Sequence, residues 1–325
     1  MIRLRFGREA AGAFYSFLAA FFWATYYIAG EYMIGKRTHM DPVSLAFCRF
    51  SLGGLILFVY LFFKSRKELF SLTRKELLVI AVQSEFMLVI MSSFLFWGQH
   101  YTSSINAALI MTLAPILTLT MGAVTRTEKV GFLQTVSMIV ATLGCILVVT
   151  DGKGGNFSLS TWRGDLLVLI SATSWSAATI IGKRVTTRKN AFAVTVWSML
   201  IAALSLGIAG AVKYLIAPDS MCLPESPLVW GYLLYLGVIP TAIAFYAWYK
   251  ALGTGSLNIV NAVQNTESLL AVGLAFFLLH SPIGWYKALG IVLAVAGVAG
   301  AAKFRKKEDS AKKTHSASAA EKTAV

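Results

Sequence analysis

Long apolar stretches dominate the chain, and their spacing predicts ten membrane-spanning helices. A helix needs roughly 20 consecutive apolar residues to cross a bilayer core about 30 Å thick. A window of about 19 residues finds ten stretches of this kind, joined by short polar links. They lie near residues 14–34, 43–63, 77–98, 104–124, 130–150, 164–183, 191–213, 228–250, 256–280 and 284–303. The pattern therefore predicts an all-α membrane protein.

The ninth stretch carries a row of polar side chains that a lipid-facing helix could not hold. At about 100° per residue, all of them except Glu267 fall on roughly one third of the helix surface. Each unsatisfied polar group in hydrocarbon costs several kcal/mol, so this face must contact other helices or a water-filled cavity. We call this row the polar ladder, and its residues are Asn258, Asn261, Gln264, Asn265, Glu267 and Ser268.

The composition agrees with a membrane protein and bears on the possible partners. Only 14% of the residues are charged, against about 25% in a soluble protein. The net charge of +14 would suggest a nucleic-acid partner in a soluble chain, whereas Lys and Arg mark cytoplasmic loops in a membrane protein. The cysteines at 48, 145 and 222 have neither a disulfide framework nor a metal-ligand spacing. We expect a lipid bilayer and a small-molecule substrate as partners, with no nucleic acid, metal or cofactor.

The basic residues alternate between the predicted loops. If the N-terminus is cytoplasmic, the cytoplasmic segments hold 22 Lys and Arg residues and the opposite side holds six. Arg49 is then the one basic residue left inside a span. This bias predicts that both termini are cytoplasmic and that the protein lies in the plasma (inner) membrane. The basic C-terminal tail cannot bury an apolar face and is predicted to be disordered.

The two halves of the chain resemble each other at an offset of about 150 residues. Trp23 in FFWATYYIAGEYMIGKR matches Trp175 in SWSAATIIGKR, and Asn106 in TSSINAALIMTLAPILTL matches Asn258 in GTGSLNIVNAVQNTESLLAV. Chance similarity between apolar helices is the alternative. Because five is odd, a second copy would enter the membrane from the opposite side, as in many secondary transporters. We predict two inverted five-helix repeats, at residues 1–152, which include a basic N-terminal arm, and 153–304, followed by the tail at 305–325.

These segments resemble the EamA-type permeases of the drug/metabolite transporter superfamily. The resemblance covers about residues 14–303 and is carried by DPVSLAFCRFSLGG, LFWGQHYTSSINAALIMTLAPILTL and FYAWYKALGTGSLNIVNAVQNTESLLAV. The family commonly has Glu-Pro in the ninth span and Gly-Glu at its end. Here Glu267 is kept, Ser268 stands in place of Pro, and His280 and Ser281 replace the final pair. The resemblance implies a monomeric ten-helix bundle that exports small metabolites by alternating access.

Four residues are candidates for proton coupling or gating, because ionisable groups and helix breaks inside spans are often functional. Arg49 could anchor a substrate carboxylate or form a structural pair with a carboxylate or a helix-end carbonyl. Glu85 could exchange protons or pack spans together. Glu267 could bind a proton or a substrate amine in the cavity, or it could form a structural pair with Arg49. Pro115 should kink the fourth span, as a moving or a static bend.

Aromatic and amide side chains are the candidates for substrate binding. Trp23 and Tyr27 share one face of the first span, and Trp175 has the equivalent position in the sixth. Trp248 and Tyr249 in the eighth span could extend an aromatic lining, or could serve as interfacial belt residues. The predicted substrate-binding residues are Trp23, Tyr27, Asn106, Trp175, Tyr246, Asn261, Gln264 and Asn265.

The sequence therefore predicts a secondary transporter that exports small polar metabolites, with amino acids or related compounds as the leading class. Its two five-span halves are expected to rock around a central cavity. The alternative is an importer or exchanger of a nucleoside, nucleotide-sugar or cofactor-like solute on the same fold. An enzyme is disfavoured because the spans contain no metal-ligand spacing, Ser-His pair or Gly-rich phosphate loop.

Overall fold

The computed structural model describes residues 2–34, 42–99, 101–102, 107, 110–126, 131–150, 162–216, 227–279, 284–301 and 303–304. Within these ranges the regular structure is entirely helical. One helix, continuous or interrupted, occupies each of the ten predicted spans in the described part of the chain. The predicted all-α class is confirmed.

The first half of the chain contains α1 to α5. They are α1 (Ile2–Ile34), α2 (Pro42–Leu69), α3 in three consecutive parts (Arg74–Ser84, Glu85–Ile90 and Met91–Gln99), α4 (Ala114–Val124) and α5 (Phe132–Thr150). A capping box begins α3, in which the Thr73 hydroxyl accepts from Glu76 N at 3.3 Å and Glu76 Oε2 accepts from Thr73 N at 2.9 Å.

The second half contains α6 to α10. They are α6 (Trp162–Thr186), α7 (Ala191–Ile216), α8 in three consecutive parts (Pro227–Gly237, Val238–Ile243 and Ala244–Thr254), α9 in two parts (Leu257–Gln264 and Thr266–Leu279) and α10 (Trp285–Ala301). Ser256 caps the start of α9, because its hydroxyl accepts from Ile259 N at 3.5 Å.

Five of the described helices are long and apolar enough to cross a membrane. These are the stretches Val43–Leu69, Arg74–Leu95, Trp162–Thr186, Ala191–Ile216 and Pro227–Thr254. Shorter apolar helices occur at Ala114–Val124, Phe132–Leu147 and Trp285–Ala301. Exposed Leu, Val, Phe and Trp side chains cover the outside of the bundle, as expected for a surface solvated by lipid.

Helices α3 and α8 each contain a six-residue π-helical turn. The turns are Glu85–Ile90 and Val238–Ile243, and they begin 153 residues apart. This offset agrees with the 152 residues that separate Trp23 from Trp175. Such turns are rare, so their occurrence at matching positions supports two copies of one five-helix unit.

The helices pack across the two repeats. Helix α1 packs against α8 and α9 of the second repeat, and its equivalent, α6, packs against α3 and α4 of the first. Helix α2 packs against its own equivalent, α7. The exchange creates two mixed groups of helices, which we call bundle A (α1, α8 and α9) and bundle B (α3, α4 and α6).

Equivalent glycines allow this exchange. A Cβ atom on Gly12 of α1 would lie 2.6 Å from the backbone nitrogen of Gly255, in the link between α8 and α9. A Cβ atom on Gly164 of α6 would lie 2.7 Å from the carbonyl oxygen of Gly98 in α3. Gly12 and Gly164 are 152 residues apart. The first helix of each repeat therefore approaches the other repeat closely for the same local reason, which is the absence of a side chain.

Candidate functional site

The polar ladder lies on α9, on both sides of the point where its two parts meet. Helix α9 ends its first part at Gln264, and its second part begins at Thr266. The side chains of Asn258, Asn261 and Asn265 are only 3%, 2% and 6% exposed. These three ladder residues are therefore covered by protein. The chain stays in the right-handed helical region at Asn265, with φ −59° and ψ −17°, and the Asn265 N–H still donates to the Asn261 carbonyl at 3.4 Å.

Some ladder residues are bonded to α5 or to each other within α9. Asn258 Nδ2 donates to Gln134 Oε1 of α5 at 3.1 Å, and Gln264 Nε2 donates to Glu267 Oε2. The Cys145 thiol of α5 donates to the Asn265 carbonyl at 3.5 Å. The bonds of Asn258 and Asn265 place this part of the ladder beside α5.

Other ladder atoms have no partner among the residues that the structure describes. They are Asn258 Oδ1, Asn261 Nδ2, Gln264 Oε1 and Asn265 Nδ2. Buried polar groups in proteins are almost always hydrogen-bonded, so four exceptions on two turns of one helix are unusual. The ladder therefore holds buried amide oxygens and amide nitrogens whose hydrogen-bonding capacity is not used by the described residues.

The matched tryptophans contact each other within a buried apolar cluster. The Trp23 and Trp175 ring centroids are 5.4 Å apart with their planes at 75°, which is an edge-to-face contact. Phe245 and Trp248 of α8 complete the group, at 5.2 and 5.7 Å from Trp23. We call these four residues the aromatic cluster. The cluster joins α1 and α8 of bundle A to α6 of bundle B.

The belt interpretation of Trp248 and Tyr249 is wrong. Both side chains are fully buried, because α8 is covered here by α1, α6 and α7. Tyr246 points to another neighbour, since its ring lies 5.0 Å from Phe192 of α7.

A buried polar network beside Tyr249 was not predicted from the sequence. The Gln83 amide nitrogen donates to the Tyr249 hydroxyl at 2.7 Å, and that hydroxyl lies 2.9 Å from Gln83 Oε1. Ser198 of α7 donates to the same oxygen at 3.2 Å. All three side chains are fully buried. Gln83, a polar residue in the middle of an apolar span, was the available sequence signal.

Glu85 joins α3 to α7, since the Ser205 hydroxyl donates to its Oε1 at 2.5 Å. The repeat relates this contact between α3 and α7 to a contact between α8 and α2. Gly237 of α8 is the equivalent of Glu85, and Gly53 of α2 is the equivalent of Ser205, each at an offset of 152 residues. A Cβ atom on Gly53 would lie 2.7 Å from the Gly237 carbonyl oxygen. One crossing is thus a polar contact and the other a backbone contact. A role for Glu85 in proton transfer stays a prediction.

The other gating candidates lie on different helices. The Arg49 guanidinium lies 4.7 Å from the ring centroid of Phe50. Pro115 is in the first turn of α4, after a turn at residues 112–113. The carbonyl of Ala114 beside it accepts from Ser176 of α6 at 2.9 Å, which ties this bend to bundle B. The roles of Arg49, Pro115 and Glu267 in gating stay predictions.

Two predicted substrate-binding residues cannot be placed. Asn106 lies outside the described residues, and only the backbone of Tyr27, within α1, is described. Elsewhere, a groove of about 320 Å³ lies between α4 and α6 and is lined mainly by apolar residues such as Met121, Ile180 and Ile181. It does not include the ladder.

Comparison with known proteins decides the family. A model of the EamA-like transporter family matches residues 10–150 and again residues 162–302. This chain belongs to the EamA-like transporter family. The two matches correspond to α1–α5 and α6–α10, so the family unit is the five-helix repeat. An EamA-like transporter is a multi-pass membrane protein that moves a small molecule and is not an enzyme.

Several EamA-like relatives align along most of their length. The transporter YyaM of Bacillus subtilis is 25% identical over 89% of this chain and 94% of its own. A transporter of Archaeoglobus fulgidus is 26% identical over 83% of this chain and 91% of its own. The biotin transporter of Salmonella typhimurium is 27% identical over 81% of this chain and 83% of its own. A crystal structure with 19% identity has a TM-score of 0.79 over 92% of this chain and 99% of that chain, which shows the same fold.

Proposed function

We propose that this EamA-like transporter exports small polar metabolites, with amino acids or related compounds as the leading class, by alternating access. The observation that carries the proposal is the polar ladder on α9, with four buried side-chain atoms that have no partner among the described residues. Asn261, Gln264 and Asn265 are the proposed solute contacts. The charge bias of the sequence supports cytoplasmic termini and insertion in the plasma membrane, and we propose that the protein works as a monomer.

The energetics of the ladder favour a polar ligand. A buried donor or acceptor that lacks a partner costs about 1–3 kcal/mol, and four ladder atoms are in this position among the described residues. A solute with several donors and acceptors would offset part of this cost, whereas an apolar solute would not. The ladder therefore favours amides, zwitterions and similar polar molecules over hydrophobic compounds.

The aromatic cluster supports a site near the middle of the membrane. On α1, the Ser16 hydroxyl donates to the Val260 carbonyl of α9 at 2.7 Å. Trp23 is seven residues further along α1, a rise of roughly 10 Å. Helix α1 therefore contacts α9, which carries the ladder, and also contributes Trp23 to the cluster. Polar groups for orientation beside aromatic surfaces for contact area are the usual composition of small-molecule sites.

Reconstituted transport tests this proposal. Purified protein in liposomes would be screened with a panel of labelled amino acids and nucleosides. Asn261→Ala and Gln264→Ala should each reduce flux of the accepted solute by up to about tenfold, because a neutral hydrogen bond contributes about 0.5–1.5 kcal/mol. Thr173→Ala is the control, since this exposed hydroxyl donates only to its own helix at Leu169. Normal flux in both ladder variants, with normal membrane levels, would refute the assignment.

A second candidate is import or exchange of a cofactor-like solute on the same fold. It is favoured by the relatives from Salmonella typhimurium and Escherichia coli that are named biotin transporters, at 27% and 26% identity. Labelled biotin belongs in the liposome panel for this reason. Uptake of biotin with no response to amino acids would replace the first proposal by the second.

A further inference from the structure

We infer that Gln83, Tyr249 and Ser198 form a latch that closes the transport path at one end of the protein. This is the end that carries Lys183, where α6 and α8 both terminate. The inference rests on the proposed alternating access, and it names the groups that hold one of the two closed ends.

The bodies that move are the mixed bundles. In bundle A, the Arg8 side chain donates to the Gly253 carbonyl at 3.4 Å, and Glu9 accepts from Ser256 N at 3.0 Å. In bundle B, the Thr102 hydroxyl donates to Asp165 at 2.5 Å. These bonds and the glycine contacts fix α1 to the second repeat and α6 to the first. The two halves of the sequence cannot separate without breaking them, so rocking occurs between bundles A and B.

At the Lys183 end the two bundles are in contact. A Cβ atom on Gly182 of α6 would lie 3.5 Å from the Tyr249 ring, and one on Gly253 of α8 would lie 2.7 Å from the Thr186 carbonyl. The Lys183 ammonium donates to the Gly255 carbonyl. Each contact joins bundle B to bundle A, so together they close this end.

The latch is the buried polar part of this contact. Gln83 belongs to bundle B and Tyr249 to bundle A, and Ser198 on α7 bonds the Gln83 oxygen. The network is fully buried. If the bundles separate here, water replaces the lost bonds. If one partner is removed instead, the remaining buried group destabilises only the closed state.

The opposite end has no equivalent latch among the described residues. The position that matches Tyr249 is Trp97, which is 59% exposed. The position that matches Gln83 is Tyr235, whose hydroxyl donates to Thr25 at 2.6 Å, a bond inside bundle A. The latch is therefore an asymmetric addition to a symmetric scaffold, and it favours closure at the Lys183 end.

Distance measurements between spin labels test the latch without knowledge of the substrate. One label pair, at Ala10 of bundle A and Thr187 of bundle B, reports on the Lys183 end, and both residues are exposed. A second pair, at Trp162 and Leu228, reports on the opposite end. Both pairs would be introduced as cysteines after replacement of the three native cysteines, and measured by pulsed electron paramagnetic resonance.

The parent protein should show mainly the short Ala10–Thr187 distance. Tyr249→Phe and Gln83→Leu should each shift the ratio of open to closed molecules at this end about tenfold, because each leaves a buried polar group without its partner. The double variant should shift it less than the two single effects combined, since neither the Gln83 amide nor the Tyr249 hydroxyl then remains without the other. Trp97→Phe is the matched control and should change neither distance.

Equal distributions in Tyr249→Phe, Gln83→Leu and Trp97→Phe would overturn the latch, as would a parent protein that is mainly open at the Lys183 end. Ser198→Ala, which removes only one hydroxyl, gives a smaller shift in the same direction and serves if a larger change prevents folding. If no proposed solute is transported in liposomes but the variants shift the distances as expected, the proposed solutes are overturned and the latch stands. If the solutes are transported but the variants leave the distances unchanged, the latch is overturned and the proposed function stands.

Discussion

The substitution Gly12→Ala tests the contact that holds α1 to bundle A. The new methyl group would lie 2.6 Å from the Gly255 nitrogen, roughly 1 Å short of a normal separation of about 3.5 Å. The methyl group is fixed directly to the α1 backbone and the Gly255 nitrogen is itself backbone. Neither can turn away, so α1 and the α8–α9 link must move apart. Such overpacking costs about 1–3 kcal/mol, and Ala offsets up to about 1 kcal/mol of this through its better helix propensity. We expect a net loss of about 1–2 kcal/mol.

Gly231→Ala is the matched control, because no atom lies within 4 Å of the Cβ position at Gly231 in α8. The control gains the same helix propensity without a clash, so it should be neutral or stabilising by up to about 1 kcal/mol. Thermal unfolding of the purified proteins in detergent measures both, and the two melting temperatures should move in opposite directions. If Gly12→Ala is as stable as Gly231→Ala, the close approach of α1 to the link is refuted.

Two further predictions concern buried polar contacts. Glu85→Gln should leave stability unchanged, because an amide oxygen can still accept from Ser205, while abolishing any dependence of flux on a pH gradient in liposomes; a persisting gradient response would reject proton coupling at this residue. Asn258→Leu and Gln134→Leu should each cost about 1–3 kcal/mol, since each leaves its buried partner without the bond at 3.1 Å. The double variant should cost less than the sum of the two in a thermal unfolding cycle, and strict additivity would argue against the bond.

The sequence predicted the helices well because span length and apolar content are local properties. A bilayer demands about 20 apolar residues per helix, and the stretches that satisfy this demand each contain a helix. The repeat was also visible, because Trp23 and Trp175 occupy matching places in their spans. Their contact at 5.4 Å explains the match, since residues near the pseudo-twofold axis of an inverted repeat approach their own equivalents.

The exchange of helices between repeats could not be predicted in the same way. Hydropathy gives the length of a helix and the width of its polar face, but it does not identify the neighbour. The decisive residues are Gly12 and Gly164, which look like ordinary glycines among many in an apolar chain. The position of Tyr249 near the end of a span allowed either an interfacial or a lining role. Its burial comes from neighbours distant in sequence, such as Gly182 of α6, 67 residues earlier.

The symmetric scaffold and the asymmetric polar contacts have different consequences for transport. If the two repeats had identical sequences, closure at one end would have the same free energy as closure at the other. The two conformations would then differ only by exchange of the repeats. Here the Tyr249 position carries a buried hydrogen bond while Trp97 is exposed, and the Glu85 crossing is polar while the Gly53 crossing is not. The Tyr249 bond joins the two bundles, so in the proposed latch it stabilises only the conformation that is closed at the Lys183 end. A bound solute can drive the cycle only through its own preference for one conformation, so under this proposal the solute must favour the conformation that is open at that end.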